Sequence, residues 1–211
     1  MIRRVSMVAA LALTVTAGCA ESGNETPASS PSARPTASPI VAGPPWYDEV
    51  APAGAGTTVG AKGSECELPV TFSVPVGLKV TKISGRAQLV VGRSTLRCEI
   101  DAKPAGLVGF LRVWTIDESL PSGGKNDAEN FVTEYAKDPA ANYRRVKAGP
   151  LDSTEASYVE ADLDGKPNPH LAIAVSAVEG DTLLTIGGMD ADEFQSLLPG
   201  YQLAKQSIKP A

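Results

Sequence analysis

The first eighteen residues of the sequence limit where this chain can fold. Arg3 and Arg4 precede an apolar run, Val5 to Val15, and small residues follow at positions 17 and 18. A basic start, an apolar core of about 7–15 residues and small residues at its end are typical of a secretory signal peptide. The run is too short to span a bilayer, which takes about 20 apolar residues. We therefore predict a signal peptide over residues 1–18 and a domain that folds outside the cytoplasm.

Cys19 follows this segment directly. Thr16-Ala17-Gly18-Cys19 resembles the lipobox of bacterial lipoproteins, with Thr16 at the position where Leu is commonest. The resemblance implies cleavage before Cys19, acylation of its thiol with a diacylglycerol and palmitate, and anchoring on the extracytoplasmic face of the cell membrane. Two acyl chains suffice for stable anchoring, whereas one chain binds only marginally. The alternative is an ordinary cleaved signal with an unrelated cysteine beside it.

Residues 19–64 have the composition of a tether. Residues 20–45 are mostly Ser, Thr, Pro, Ala and Gly without apolar periodicity, so they cannot bury a core and are predicted to be disordered and rather extended. Trp46 and Tyr47 are the first residues expected to pack on a domain, but residues 51–63 are again rich in Gly and Ala. We predict a single ordered domain over residues 65–211 that starts near Cys66.

The remaining two cysteines form an even pair. If Cys19 is acylated, Cys66 and Cys98 are left, and outside the cytoplasm such a pair is most simply a disulfide. A bridge across 32 residues contributes roughly 3–4 kcal/mol. A metal or redox pair is the alternative, although the spacing is not C-x-x-C and the single histidine, His170, is distant in sequence.

The net charge of the chain limits the classes of partner that it can bind. The net charge is −5, and removal of Arg3 and Arg4 with the signal leaves −5 − 2 = −7. An acidic chain argues against nucleic-acid binding and supplies no broad basic patch for anionic lipids. A short basic run, Arg144, Arg145 and Lys147, is interpreted as a solvated face near a helix C-terminus, with contact to an anionic polymer or lipid head group as the alternative.

Alternating apolar residues predict a chain of strands with two helices. Residues 126–129 and 190–193 are capping boxes, which begin helices over residues 128–137 and 191–198, and Pro199 is expected to end the second. Residues 201–208 fit either a helix or a strand. The pattern predicts an α+β domain, mainly an antiparallel sheet covered by helices. The predicted strands are Leu68–Val74, Leu78–Ile83, Gln88–Val91, Thr95–Ile100, Leu107–Ile116, Thr154–Leu163, His170–Val178 and Thr182–Ile186.

The segment from Phe72 to Lys79, FSVPVGLK, carries a family resemblance. It is similar to the F-x-x-P-x-G-W-K opening of PsbP-like domains, with Leu78 in place of Trp, and the order of predicted elements after it is similar as well. The domain also resembles the LpqN-type lipoproteins of mycobacteria, which carry the same kind of signal and tether. The resemblance implies a PsbP-like α/β sandwich that serves assembly, docking or lipid export.

No residues form a convincing catalytic set. A Ser–His–Asp or Cys–His system would have to use His170, which follows Pro169 and is interpreted as a partly exposed residue at the rim of a hairpin. The runs Gly56–Lys62 and Asp162–Gly165 fall short of a phosphate loop and a calcium loop, and are interpreted as linker and turn. We therefore predict no catalytic, cofactor-binding or metal-binding residues, and no cofactor.

Three functions are compatible with these observations. The first is a non-enzymatic envelope lipoprotein that binds or assists a protein partner, with Tyr143, Tyr158 and Tyr201 as candidates for a surface aromatic cluster and packing at the edge of the core as the alternative. The second is a carrier of an apolar ligand or envelope lipid, which requires the apolar face Leu107–Trp114 to be incompletely covered. The third, a cell-wall hydrolase, has the least support.

Overall fold

The computed structural model describes residues 46–211, and residues 1–45 with the predicted signal peptide, Cys19 and the first part of the predicted tether lie outside them. The described chain forms two helices, α1 (Asp127–Glu134) and α2 (Ala191–Ser207), and eleven strands. The strands are β1 (Ala55–Val59), β2 (Val70–Pro75), β3 (Lys79–Lys82), β4 (Val90–Val91), β5 (Ser94–Asp101), β6 (Phe110–Ile116), β7 (Asn142–Ala148), β8 (Leu151–Ala161), β9 (Pro167–Val175), β10 (Thr182–Gly187) and β11 (Lys209–Pro210).

These strands form two antiparallel sheets. The main sheet has the order β3-β5-β6-β10-β9-β8-β7, with β4 paired to β5, and the small sheet has the order β1-β2-β11. Helix α1 packs on β8 and β9, whereas α2 packs on β2, β9 and β10. The main sheet therefore lies between α1 on one face and α2 with the small sheet on the other. This agrees with the predicted antiparallel α+β architecture, although the domain is mostly sheet.

Each face of the main sheet has its own apolar core, because successive side chains of a strand point to opposite faces. Leu111 and Val113 of β6 pack toward α2, and Trp114 packs toward α1. A bulge in β5 between Leu96 and Cys98 shifts the register there. Leu96 consequently belongs to the α1 core and Cys98 to the α2 core, although the two residues are an even number of positions apart.

The predicted disulfide is present. Cys66, in the loop before β2, is bonded to Cys98 on β5, with their Cα atoms 6.1 Å apart. Both cysteines are buried in the α2 core. The bond therefore ties the loop that enters the small sheet to the main sheet.

Ordered structure begins before the predicted boundary at residue 65. Strand β1 pairs with β2 over Ala55–Val59, and Trp46, Tyr47 and Val50 pack against the α2 core. The Gly- and Ala-rich composition of residues 51–63 indicated a tether, but the backbone hydrogen bonds of an edge strand need few apolar side chains. The predicted start near Cys66 was therefore wrong for residues 46–64.

Helix α2 continues through Pro199, where the sequence predicted its end. A proline inside a helix removes one backbone hydrogen bond and costs about 3 kcal/mol or more. The apolar spacing nevertheless continues across it, and burial of this stripe offsets the cost. The stripe comprises Phe194, Leu197, Leu198, Tyr201, Ala204 and Ile208, all of which are buried. Residues 201–207, left open between helix and strand, are thus helical.

The basic run Arg144, Arg145 and Lys147 lies on the edge strand β7 rather than near a helix C-terminus. Arg144 points toward the α2 face, where it pairs with Glu155. Arg145 and Lys147 are exposed, and Lys147 pairs with Asp152 on the neighbouring strand. Charged side chains of this kind protect a sheet edge from pairing with another chain. Strand β7 was missed because exposed residues alternate in it with half-buried ones, and the half-buried ones include the charged Arg144, so the sequence shows no apolar alternation.

Candidate functional site

The main candidate site is an apolar cleft of about 240 Å³ between α2 and the main sheet, which we call the α2 cleft. Its walls come from five parts of the fold: Ala53 before β1, the C-terminal end of β2, the sheet strands β5, β6 and β10, the segment around Leu107, and the middle of α2. The sheet side is formed by Ile100, Leu111 and Ile186, which face α2 from three neighbouring strands. The cleft follows from strand alternation, because these positions all point to one face.

The helix side of the cleft comes from the unusual middle of α2. Leu197, Pro199 and Gly200 line it. A Cβ added at Gly200 would lie 3.4 Å from the ring of Pro75 at the end of β2, so the helix and the small sheet are already close there. Val76, which follows β2, is 76% exposed and also lines the cleft, so the cleft is open to solvent on this side.

The two hydroxyl groups of the lining have partners within the protein. The Tyr201 hydroxyl donates to Glu155 Oε1 at 2.8 Å, and the Ser196 hydroxyl donates to the carbonyl of Asp192 at 2.9 Å. Neither hydroxyl is therefore left without a partner for a ligand to satisfy. The other side chains of the cleft are apolar, so it can hold an apolar group but offers little for chemistry.

Behind the cleft, α2 is fixed to the sheet by a buried charged network. The carboxylate of Glu155, which is 0% exposed, accepts hydrogen bonds from Arg144, Tyr201 and Lys205. Asp48 accepts from Arg144 at 2.6 Å and from Lys205 at 3.0 Å. The hydrogen bond from Arg144 lowers the pKa of Asp48 to about 2. Two acids and two bases thus neutralise one another, which is the condition for burying charge without a large penalty.

This network also docks the beginning of the described chain onto α2. The guanidinium of Arg144 lies 4.5 Å from the ring centroid of Trp46. Gln202 Nε2 donates to the carbonyl of Tyr47 at 2.7 Å, and the Tyr47 ring lies edge-on to Phe194 at 5.3 Å. The first described residues are therefore held against the same helix that forms the cleft.

The predicted apolar face Leu107–Trp114 contributes to the cleft only in part. Leu107 and Leu111 line it. Trp114 lies on the opposite face, where it is 1% exposed, packs against Phe131 and donates to Thr185 Oγ1 at 3.1 Å. Sequence reasoning missed the part of the lining that comes from β2 and α2, because the extension of α2 beyond Pro199 was not predicted.

The predicted surface cluster of tyrosines is not formed. Tyr158 and Tyr201 are each 1% exposed, whereas Tyr143 on β7 is 37% exposed. Tyr158 stacks on His170 on the α1 face, and Tyr201 reaches Glu155 on the α2 face. The prediction was wrong because both residues occur at inward positions of their elements.

His170 lies within strand β9 and is mostly covered, with its side chain 11% exposed, rather than at the predicted rim of the hairpin. The interpretation of Asp162–Gly165 as a turn is confirmed, since Asp162 Oδ1 accepts from the backbone N–H of Asp164. The run Gly56–Lys62, interpreted as linker, begins within strand β1, which contains Gly56 and Val59.

Within residues 46–211, no group of three or more His, Cys, Asp and Glu side chains is placed to hold a metal ion. No helix of that region is long and apolar enough to cross a membrane.

Comparison with known proteins places the chain in a family. Residues 36–208, most of the chain, match a family described as uncharacterised lipoproteins. The chain belongs to this lipoprotein family. A search of curated proteins gave no match. The lipoprotein prediction is thereby confirmed at the level of the family, whereas acylation at Cys19 stays a prediction for a residue outside the described part.

The solved structures with similarity to the chain include that of a cyanobacterial protein. It is the solution structure of cyanobacterial PsbP (CyanoP) from Synechocystis sp. PCC 6803, with a TM-score of 0.48 and 12% sequence identity. The similarity covers 68% of this chain and 87% of the other. The resemblance to LpqN-type lipoproteins stays a prediction.

Proposed function

We propose that this lipoprotein is a non-enzymatic envelope protein, anchored through Cys19, that carries the apolar part of an envelope lipid in the α2 cleft. The observation that supports this function is the cleft itself, an apolar opening between the sheet and α2 whose two hydroxyl groups are already paired. The proposal is the second of the functions drawn from the sequence, which required such an opening.

The size of the cleft suits reversible binding of one acyl segment. Burial contributes about 0.8 kcal/mol per methylene, so a segment that buries about six methylenes gains about 5 kcal/mol before the cost of association. A Kd of about 1 mM corresponds to about −4.1 kcal/mol, so the cleft alone supports weak binding. Weak, reversible binding is what a protein that takes up and releases lipid requires.

The predicted anchor places the cleft within reach of its ligand. Residues 20–45 separate Cys19 from the first described residue, Trp46. For the disorder that their composition predicts, these 26 residues are expected to have a root-mean-square span of roughly 28 Å. A domain held at that distance meets lipids of its own membrane at high local concentration.

The proposal is tested by filling the cleft. Ala105 is exposed and lines the cleft, so Ala105→Phe narrows it without disturbing the core. Ala140→Phe is the matched control, because Ala140 is exposed and does not line the cleft. Binding of the fluorescent fatty acid cis-parinaric acid is titrated with the Cys19→Ser protein, which lacks its own acyl chains. We expect saturable binding that weakens at least tenfold in Ala105→Phe and is unchanged in Ala140→Phe.

Native mass spectrometry supplies the second measurement. Protein purified from its own membranes is expected to carry a lipid beyond the Cys19 anchor, and solvent extraction identifies its class. Equal fatty-acid binding by both phenylalanine variants contradicts the carrier function. A protein partner recovered by crosslinking in intact cells would then favour the docking function.

A further inference from the structure

A second cavity, of about 130 Å³, lies on the α1 face of the main sheet, on the opposite side from the α2 cleft. Its lining residues come from β6, β8, β9 and β10 and from Tyr135, the residue that caps the C-terminus of α1. The side chains are chemically mixed: four aromatic rings, from Phe110, Trp114, Tyr135 and Tyr158, and the charged or titratable groups of Arg112, Glu160 and His170. We call this cavity the His170 pocket.

The orientation of His170 is fixed by its neighbours. Its ring stacks on Tyr158 with centroids 5.3 Å apart, and it donates a hydrogen bond to the carbonyl of Ile186. The ring also lies directly on Gly187, where an added Cβ would be 2.0 Å from Nδ1. Burial lowers the pKa of His170 to about 4, so the ring is neutral at neutral pH. Nε2 therefore presents a lone pair, and it is buried without a hydrogen-bond partner.

Glu160 faces this lone pair with a second acceptor. Its Oε2 lies 3.7 Å from His170 Nε2, which is too long for a hydrogen bond, and its Oε1 is buried without a partner. The two acceptors face each other in the pocket, and a bound group that donates several hydrogen bonds satisfies both.

The charges around the pocket favour a cation as that donor. Arg112 is already paired with Glu99, with Nε 2.8 Å from Oε1, and its guanidinium lies 5.2 Å from the centroid of Phe110. Because Glu99 balances the charge of Arg112 and His170 is neutral, the carboxylate of Glu160 is left without a cationic partner at hydrogen-bond distance. The electron-rich faces of the aromatic rings attract cations as well. A divalent metal ion fits less well, because only Glu160 and His170 are strong ligands here and Arg112 repels a doubly charged ion more than a singly charged one.

We propose that the His170 pocket binds a primary ammonium group, which donates hydrogen bonds to Glu160 and to Nε2 of His170 and packs against Trp114, Tyr135 and Tyr158. An ammonium group has three N–H donors and one positive charge, which suit the two unpaired acceptors of the lining and the carboxylate of Glu160. It can come from a small soluble amine or from the amine head group of a lipid. The pocket is independent of the α2 cleft, so this proposal does not rest on the carrier function.

The test compares three small probes on the wild-type protein by ¹H–¹⁵N NMR at neutral pH. Ethanolammonium carries both charge and N–H donors, tetramethylammonium carries charge without donors, and ethylene glycol carries donors without charge. We expect saturable shifts at residues 110–114, 158–160 and 168–170 with ethanolammonium, and at least tenfold weaker binding of the other two probes. Equal binding of all three probes, or no saturable shift with ethanolammonium, overturns the proposal.

Two variants and one control locate the binding. Glu160→Gln removes the charge, and His170→Gln replaces the ring acceptor. Each is expected to weaken ethanolammonium binding at least tenfold, whereas Glu179→Gln, an exposed acid at the β9–β10 turn, leaves it unchanged. Dispersed NMR spectra show whether each variant is folded, and the probe series on the wild type decides the proposal if one is not. Wild-type affinity in both pocket variants overturns it.

Vesicles distinguish the two sources of the amine. The wild-type protein is mixed with vesicles of phosphatidylcholine alone or with added phosphatidylethanolamine, and the same pocket signals are followed. Shifts with added phosphatidylethanolamine that Glu160→Gln abolishes assign the pocket to a lipid head group. Shifts with ethanolammonium but not with the vesicles assign it to a soluble amine.

Discussion

Removal of the buried Glu155 carboxylate tests whether the charged network fixes α2 to the sheet. In Glu155→Ala, the hydroxyl of Tyr201 loses its acceptor, and Lys205 keeps only Asp48 as a partner. Breaking a buried ion pair by removing one partner costs about 3–5 kcal/mol, because the other charge stays buried. This is a large part of the 5–15 kcal/mol by which a typical domain is stable.

The assay is urea unfolding with the disulfide intact. At a slope of about 2 kcal/mol per M, a loss of about 4 kcal/mol lowers the midpoint by about 2 M with an unchanged slope. The control is Lys166→Met, which breaks the Lys166–Asp164 pair at 3.3 Å, whose side chains are 66% and 75% exposed. An exposed pair contributes about 0–1 kcal/mol, so its midpoint hardly changes.

The double variant Glu155→Leu with Lys205→Met sharpens the test. It removes both a buried acid and a buried base, and apolar replacement of a buried pair is often neutral or stabilising. Its midpoint is therefore expected to lie above that of Glu155→Ala. If Glu155→Ala unfolds at the same urea concentration as Lys166→Met, the reasoning about burial is refuted.

Three further changes test other parts of the fold. Reducing the disulfide, or replacing Cys66 and Cys98 by Ser, is expected to lower the free energy of unfolding by about 3–4 kcal/mol in chemical denaturation, since the closed loop spans 32 residues. Gly187→Ala places a methyl 2.0 Å from His170 Nδ1 and is expected to cost about 1–3 kcal/mol, whereas Gly200→Ala, with its nearest neighbour at 3.4 Å, is not. The pKa of His170 is lowered to about 4 in the folded protein, so between pH 6.5 and 4 the unfolded chain binds a proton that the folded chain does not bind. The free energy of unfolding is therefore expected to fall by up to about 3 kcal/mol as the pH falls through this window. His170→Gln should lose that part of the pH dependence, and an unchanged slope contradicts the assignment.

Local patterns predicted the helix starts and the hairpin because the interactions that make them are local. The side chain of Asn126 accepts from the backbone N–H of Glu129 at 2.9 Å, and that of Asp190 accepts from Glu193 at 2.9 Å, as the capping boxes predicted. Strands β9 and β10 pair as the predicted hairpin. The disulfide was predictable too, since cysteine number and compartment determine it without knowledge of the fold.

The candidate sites were not predictable because they depend on contacts between distant segments. The α2 cleft joins Val76, which follows β2, to Leu197 on α2, and nothing in either segment indicates the other. His170 was predicted at the rim because its neighbours Pro169 and Asn168 are turn-forming or polar. In the structure its ring packs on Gly187, where any larger residue would collide with it. A glycine directly opposite a polar residue on an adjacent strand was the one available signal, and it requires the register to be known.

The last prediction concerns the N-terminal boundary of the domain, which the sequence placed at residue 65 and the structure places at or before residue 46. Ala53 lines the α2 cleft and its N–H donates to the carbonyl of Pro199 at 2.9 Å, so residues before the predicted boundary form part of the cleft. A chain that starts at residue 65 loses this wall, strand β1 and Asp48, which leaves Lys205 and Arg144 with Glu155 as their shared acceptor. We expect it to unfold at lower urea concentration than a chain that starts at residue 46, and to lose fatty-acid binding in the same titration. Equal stability of the two chains would show that residues 46–64 are a tether after all, and that the docking of Trp46 and Asp48 on α2 contributes nothing to the fold.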